Sequence, residues 1–185
     1  MPEQQLKEAS RSMDRTVEAM RREFNTVRTG KATPTLLDTV RVQAYGSTMA
    51  LNQVANVGAP EPQLLVVQPY DPNVAGEIAK AIQTADLGLN PSVDGGVIRV
   101  PIPPLTEERR REYVKVLHKM AEEGRIAIRH VRQETKNRFH QMERNGEISE
   151  DLYHRWLDEL QKLTDGHIAE IDALLERKEA EVMEV

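Results

Sequence analysis

The sequence contains no cysteine, and only seven of its 185 residues are aromatic: one Trp, two Phe and four Tyr. The first absence removes disulfides, thiolate catalysis and cysteine-ligated zinc together. The second leaves little on which splayed bases could stack, because most of these rings fall on apolar stripes or in strand-like segments. Long apolar runs are missing as well. The longest aliphatic stretch, Leu64 to Val67, is far short of the ~20 residues that cross a bilayer. The opening MPEQQLKEAS shows no apolar leader core, so a cytoplasmic protein with no membrane partner is expected.

Charge is abundant instead. Lys and Arg number 25 against 30 Asp and Glu, a formal net charge of −5. On that balance a polyanion is a poor partner unless cations are gathered in one place, so their distribution matters more than their sum.

Two kinds of pattern alternate along the chain. Leu6, Met13, Val17, Met20, Phe24 and Val27 mark one face of a long first helix, which Gly30 is expected to stop. A second begins after PIPPLTEERR with Thr106 as N-cap and acids in the first turn. Its stripe runs Tyr113, Leu117, Met120, Ile128, Val131, Thr135 and Met142, ending near Asn145-Gly146. A third, capped by Ser149, carries Tyr153, Trp156, Leu160, Leu163, Ile171, Leu174 and Val182. Their lengths would be roughly 40, 60 and 50 Å. Between them TVRVQAY, QLLVV and GVIRVPI read as strands, and Asp71-Pro72 reads as the start of a helix over VAGEIAKAIQTA. Most of the prolines and glycines fall here.

The expected fold class is therefore α+β: a long antiparallel three-helix bundle, residues 1–30 and 105–185, with a small β/α/β sandwich domain, residues 31–104, inserted between its first two helices. The competing organisation is one continuous globular domain. Three long stripes, however, need only each other to bury their faces.

The motifs exclude several chemistries. GKAT at residues 30–33 resembles part of a phosphate loop, but Asn25 stands where the first glycine is required, Ala32 follows the lysine, and the segment follows a helix instead of leading into one. Histidines 118, 130, 140, 154 and 167 have no metal-ligand spacing and read as solvated helix-face residues, so no metal is expected. No acid pair marks a site for general acid–base work, and an enzyme is not expected.

Cations on the second helix are more informative. Arg111, His118, Arg125, Arg129, Arg132 and Lys136 fall in a sector of roughly 60°, beside the apolar stripe. Two readings are open. The sector is either a solvated face tied by ion pairs to acids of the third helix, or an edge that tracks the phosphates of a structured RNA. A second cluster, Arg28, Lys31, Arg109, Arg110 and Arg111, sits where the two kinds of pattern join.

At these residues the chain resembles the ribosome recycling factor family over essentially its whole length. The segments that carry the likeness are VRTGKATPTLLD (27–38), PPLTEERRREYVK (103–115), RIAIRHVRQE (125–134), ISEDL (148–152), and QKLTD (161–165) with the acidic tail KEAEVMEV (178–185). The resemblance implies a monomeric, non-enzymatic factor of L-shaped outline that binds between the ribosomal subunits after termination. With the GTPase elongation factor G it would split them; GTP would be used by that partner, and the factor itself would need no cofactor. It implies that Arg129 and Arg132 approach large-subunit ribosomal RNA; from their placement in the sector and at the junction, Arg125, Lys136, Arg110, Arg111, Arg28 and Lys31 are expected to bind the same RNA. Many relatives carry a second arginine where this chain has Gln133, which lowers the charge density here. Gly30, Pro34, Pro103 and Pro104 would form the hinge of the small domain. From the residues alone, a helical adaptor that bridges protein partners without touching RNA is the alternative.

Overall fold

The first helix, α1 (Pro2–Asn25), starts with a proline, whose missing amide costs nothing in a first turn, and buries Ala9, Met13, Val17, Met20 and Phe24 along one face. It ends sooner than expected. The Thr26 amide and hydroxyl both donate to the Glu23 carbonyl, at 3.0 and 2.6 Å, and close the last turn. Gly30, four residues later, is therefore not the helix stop. Its φ of +76° lies in the left-handed region, and a Cβ there would come within 3.2 Å of Leu105 Cγ and 3.3 Å of the Leu105 amide nitrogen. Glycine is required at this position by its own backbone and by the neighbouring segment.

The structure, a computed structural model, describes residues 1–184; Val185, the end of the acidic tail, lies outside them. The remaining elements are β1 (Arg41–Ala44), β2 (Ser47–Ala50), the single turn α2 (Leu51–Val54), β3 (Ala55–Glu61), β4 (Leu64–Pro69), α3 (Ala75–Thr84), β5 (Ser92–Asp94), β6 (Val97–Pro101), α4 (Glu107–Arg144) and α5 (Glu150–Met183). They fall into two units: Met1–Thr29 with the residues from Glu107 onward, and Gly30–Thr106.

In the helical unit, α1, α4 and α5 pack all against all. The turn between α4 and α5 is closed by its own chemistry. Gly146 has φ +76°, its amide donates to Glu143 O and that of Glu147 to Met142 O, while the Ser149 hydroxyl accepts from the Leu152 amide. The core includes Met13, Leu117, Ile128, Phe139, Leu160 and Ile171, all almost fully buried. Phe139 of α4 meets Trp156 of α5 with ring centroids 6.3 Å apart. Small residues do as much as large ones here. A Cβ on Gly124 would lie 2.7 Å from both Cγ and Sδ of Met20 and 3.2 Å from Ile171 Cδ1, so the three helices converge at a position where α4 has no side chain.

The second unit is antiparallel throughout. β1 and β2 form a hairpin, and a four-stranded sheet runs in the order β3-β4-β6-β5. The hairpin turn Tyr45-Gly46 has φ of 51° and 75°, the geometry of the tight mirror-image turns that match strand twist. Tyr45 is thus at a turn and exposed, not in the strand that its sequence context suggests. Asp71 caps the segment leading to α3, its carboxylate accepting from the Asn73 amide at 3.0 Å. Val42, Leu65, Val67, Ile78, Ile82, Ile98 and Val100 form a core separate from that of the bundle. Both connections of this unit are pinned to one hairpin turn: the Ala32 amide donates to Pro62 O at 2.7 Å and the Ile102 amide to Gln63 O at 2.8 Å.

The convergence at Gly124 predicts a graded response. Gly124→Leu should destabilise the bundle by about 1–3 kcal/mol through overpacking. Gly124→Ala should cost less, since Met20 is flexible and alanine recovers about 1 kcal/mol of helix propensity. Denaturant titration followed by circular dichroism checks both; a Leu variant as stable as the parent would contradict the close approach.

Candidate nucleic-acid interface

The basic edge of α4 is built from positions that flank its core-facing stripe, and the structure divides it into two kinds of cation. Arg125, its side chain 20% exposed, directs Nε and Nη2 to Asp172 Oδ1 of α5 at 2.8 and 2.6 Å, and Nη1 to Glu122 at 3.0 Å. The bonds to Asp172 above all hold its proton more firmly than usual, raising its pKa. Arg129 donates to the other oxygen of Glu122 at 3.1 Å. Glu122 therefore serves two guanidinium groups, and its pKa is lowered by the hydrogen bond from Arg125 first and that from Arg129 second.

Arg132 differs. Its Nε donates at 2.8 Å to the amide oxygen of Gln161, a neutral partner, so it is held in place without losing its charge. Gln161 is itself oriented by Asp165 at 2.8 Å. Lys136, half-buried, makes no ion pair among the described residues. Arg125 is thus tied to an acid of α5, as the ion-paired alternative expects, and Arg129 to Glu122 of α4 itself, whereas Arg132 and Lys136 make no ion pair among the described residues.

The remaining predicted cations have surroundings of their own. Arg111 pairs with Glu107 in the first turn of α4, and Arg109 with Glu112 at 3.4 Å. Arg110 is half-buried, and its Nε is sealed from solvent with no hydrogen-bond partner among the described residues, so only its terminal nitrogens could meet a ligand. Arg28 is exposed beyond the end of α1, and Lys31 belongs to the sheet unit. Gly30, Pro34, Pro103 and Pro104 also lie in that unit, Pro34 inside a 3-10 turn over Pro34–Leu37.

One histidine departs from expectation. His167 is 6% exposed, with Nε2 at 2.7 Å from Asp14 Oδ1 of α1 and Nδ1 at 2.8 Å from Leu163 O. Two acceptors facing both ring nitrogens suit the doubly protonated ring. The other four lie exposed beside Glu179, Glu134, Glu143 and Glu150. Among the described residues no group of three or more potential ligands could hold a metal ion.

The ribosome recycling factor family profile matches residues 20–183. The ribosome-recycling factor of Rubrobacter xylanophilus is 53% identical over 180 residues, 97% of each chain, and that of Halothermothrix orenii is 51% identical over the full length of both. A solution structure of the ribosome recycling factor superposes with a TM-score of 0.75 at 44% identity, covering 100% of this chain and 98% of that one. A Thermus thermophilus ribosome recycling factor, described with E. coli elongation factor G on the E. coli post-termination complex, gives 0.65 at 41%, with full coverage of both chains. The molecule falls first into a class, that of translation factors in which a long helical bundle is interrupted by a small antiparallel-sheet unit. More narrowly, the chain belongs to the ribosome recycling factor family.

The His167 contact predicts a pH dependence. Burial opposes the charge, but the bonds to Leu163 O and Asp14, with the nearby charges of Asp14 and Glu170, outweigh it and raise the pKa above its ordinary value of 6.5. A folded-state pKa above the unfolded one makes this contribution complete below pH ~6.5 and lost as pH rises through the folded value. The melting temperature of the bundle should therefore fall across that interval, and fall less steeply in His167→Gln. Parallel melting profiles for the two proteins would contradict a charged His167.

Proposed function

We propose that this protein is a ribosome recycling factor: it enters the intersubunit space of the post-termination ribosome, lays the open part of the α4 edge on large-subunit ribosomal RNA and, with elongation factor G and GTP, promotes dissociation into subunits and release from mRNA. The observation that carries this reading is full-length identity of about half to curated members of the family, together with a solved relative described on the post-termination complex. It acts in the cytoplasm as a monomer, performs no catalysis itself, and leaves nucleotide hydrolysis to its partner. No helix among the described residues is long and apolar enough to cross a membrane.

Within this reading the cations have unequal roles. Arg132 and Lys136 meet phosphate directly, whereas Arg129 and especially Arg125 must first share or surrender a carboxylate. Arg110, Arg111, Arg28 and Lys31 extend the same cationic character toward the junctions. The hinge consists of the short segments outside the Ala32 and Ile102 anchors: Gly30 on one connection and Pro103 and Pro104 on the other. Pro34, beyond the Ala32 anchor, sets the shape of the turn instead of swinging.

Ribosome co-sedimentation across a salt series, with conversion of post-termination ribosomes to free subunits scored in the presence of elongation factor G and GTP, tests the proposal. Arg132→Glu should weaken ribosome binding about tenfold and reduce the salt slope by about one, with helicity unchanged. Lys162→Glu, on an exposed face of α5 beside Glu159, controls for net charge and should cost much less. Equal loss in both, or binding to protein partners with no ribosome affinity, would favour the adaptor reading. For the hinge, Gly30→Val places a branched side chain at φ +76° against Leu105 and should cost about 1 kcal/mol or more. Recycling should slow while ribosome binding persists; unchanged recycling would remove Gly30 from the hinge.

A further inference from the structure

The face of α1 that points away from the core carries a feature that the reading of α4 does not use. Lys7, Arg11, Arg15 and Arg22 are all exposed and, at 100° per residue, lie within a sector of about 80° opposite the buried stripe of Met13, Met20 and Phe24. None of the four side chains has a hydrogen bond or ion pair among the described residues. The one carboxylate in the sector, Glu18, sits 3.4 Å from Arg21 outside it. Four cations therefore stand against one acid that is already engaged. Arg125 and Arg129 on α4, by contrast, are neutralised within the protein.

The sector borders a groove of about 350 Å³ between α1 and α4, whose polar lining includes Glu8, Arg11 and Arg15 on one side and Glu134, Thr135 and Arg138 on the other. Arg138 reaches across it, donating to Gln5 Oε1 at 2.8 Å and lying 3.5 Å from Glu8. On α4, Arg138 is about 120° or more around the helix from the Arg125, Arg129, Arg132 and Lys136 edge, so the groove is a separate face. From Lys7 to Arg22 the row of cations is about 22 Å long. A protein of net charge −5 that keeps such a row unpaired concentrates positive potential where most of its surface repels anions.

We infer that the outer face of α1, with Arg11 and Arg15 at its centre and the α1–α4 groove as its border, is a second docking surface for the phosphate backbone of structured RNA. The inference rests on the proposed ribosomal function for the identity of that RNA. RNA is favoured over an acidic protein because the row is linear, lacks exposed apolar or aromatic anchors, and releases no internal ion pair on binding.

The test is affinity for isolated large ribosomal subunits, and for their RNA stripped of protein, across a salt series. Arg11→Glu/Arg15→Glu should bind both about tenfold or more weakly, with a salt slope lower by about two. Arg155→Glu/Arg177→Glu, the same charge change on exposed positions of α5, should lose far less. Melting of the α1 variant should match the parent, since neither arginine has a partner to lose. Equal losses in the two double variants would reduce the effect to net charge and overturn the inference. A loss on intact subunits that vanishes on stripped RNA would assign the face to a protein and overturn it too. Unaltered binding of the α1 variant while Arg132→Glu is impaired would remove this face alone and leave the functional reading standing. Absence of parental binding to either target would remove both.

Discussion

Chain closure is the constraint on which the rest of the molecule depends. α1 buries its apolar stripe only against α4 and α5, yet the chain makes 77 residues, Gly30–Thr106, before α4 begins. Those residues can be inserted only if they form a structure whose two ends come together. The β3–β4 hairpin turn supplies that condition, because the carbonyls of its consecutive residues Pro62 and Gln63 receive the amides of Ala32 and Ile102. Two ordinary hydrogen bonds, each worth about 1 kcal/mol net, fix where the chain enters the sheet unit and where it leaves. Ala32 and Ile102 are themselves core residues, so the anchors are reinforced by burial.

Electrostatics in the bundle follow a different logic on its separate faces. Where α4 lies against α5, arginines are drawn into pairs with Asp172 and Glu122, and Arg132 is steadied by an amide. Where α1 meets α5, a buried imidazole joins Asp14 to the Leu163 carbonyl. The crest of α1 has neither arrangement. A net charge of −5 thus conceals internal neutralisation on one face and unspent positive charge on another, and the distribution has more functional content than the total.

The sequence made the bundle legible because large apolar side chains recur at helical spacing. It concealed the small residues of the core. Ala9, Ala121 and Gly124 carry almost no hydrophobic signal, and Gly124 is a poor helix former, yet all three are buried, and at Gly124 Met20 and Ile171 leave no room for a Cβ. β3 includes a glycine and a proline, and β5 is three exposed residues, so neither shows the alternation that marked β4 and β6. Gly30 was recognisable as special, but its reason lies at Leu105, 75 residues away in sequence. Periodicity placed Arg125, Arg129, Arg132 and Lys136 together; which of them Asp172 and Glu122 would claim was not readable from one helix. His167 was likewise opaque, its partner being 153 positions distant.

The separation of α1 from its partners has a consequence for synthesis. α4 and α5 are joined by a short, self-capped turn, so their contacts are local in sequence and can form as soon as both have emerged. α1 is made first and completed last: about 160 residues separate its end from that of α5, roughly 8–30 s at ordinary elongation rates. Until α4 and α5 have both been made, Met13, Val17, Met20 and Phe24 lack their full set of partners, while the sheet unit, whose segment is finished before α4 begins, can already fold. A nascent chain of this protein therefore passes through a stage in which the sheet unit can be folded while the apolar stripe of α1 still awaits the helical hairpin that covers it.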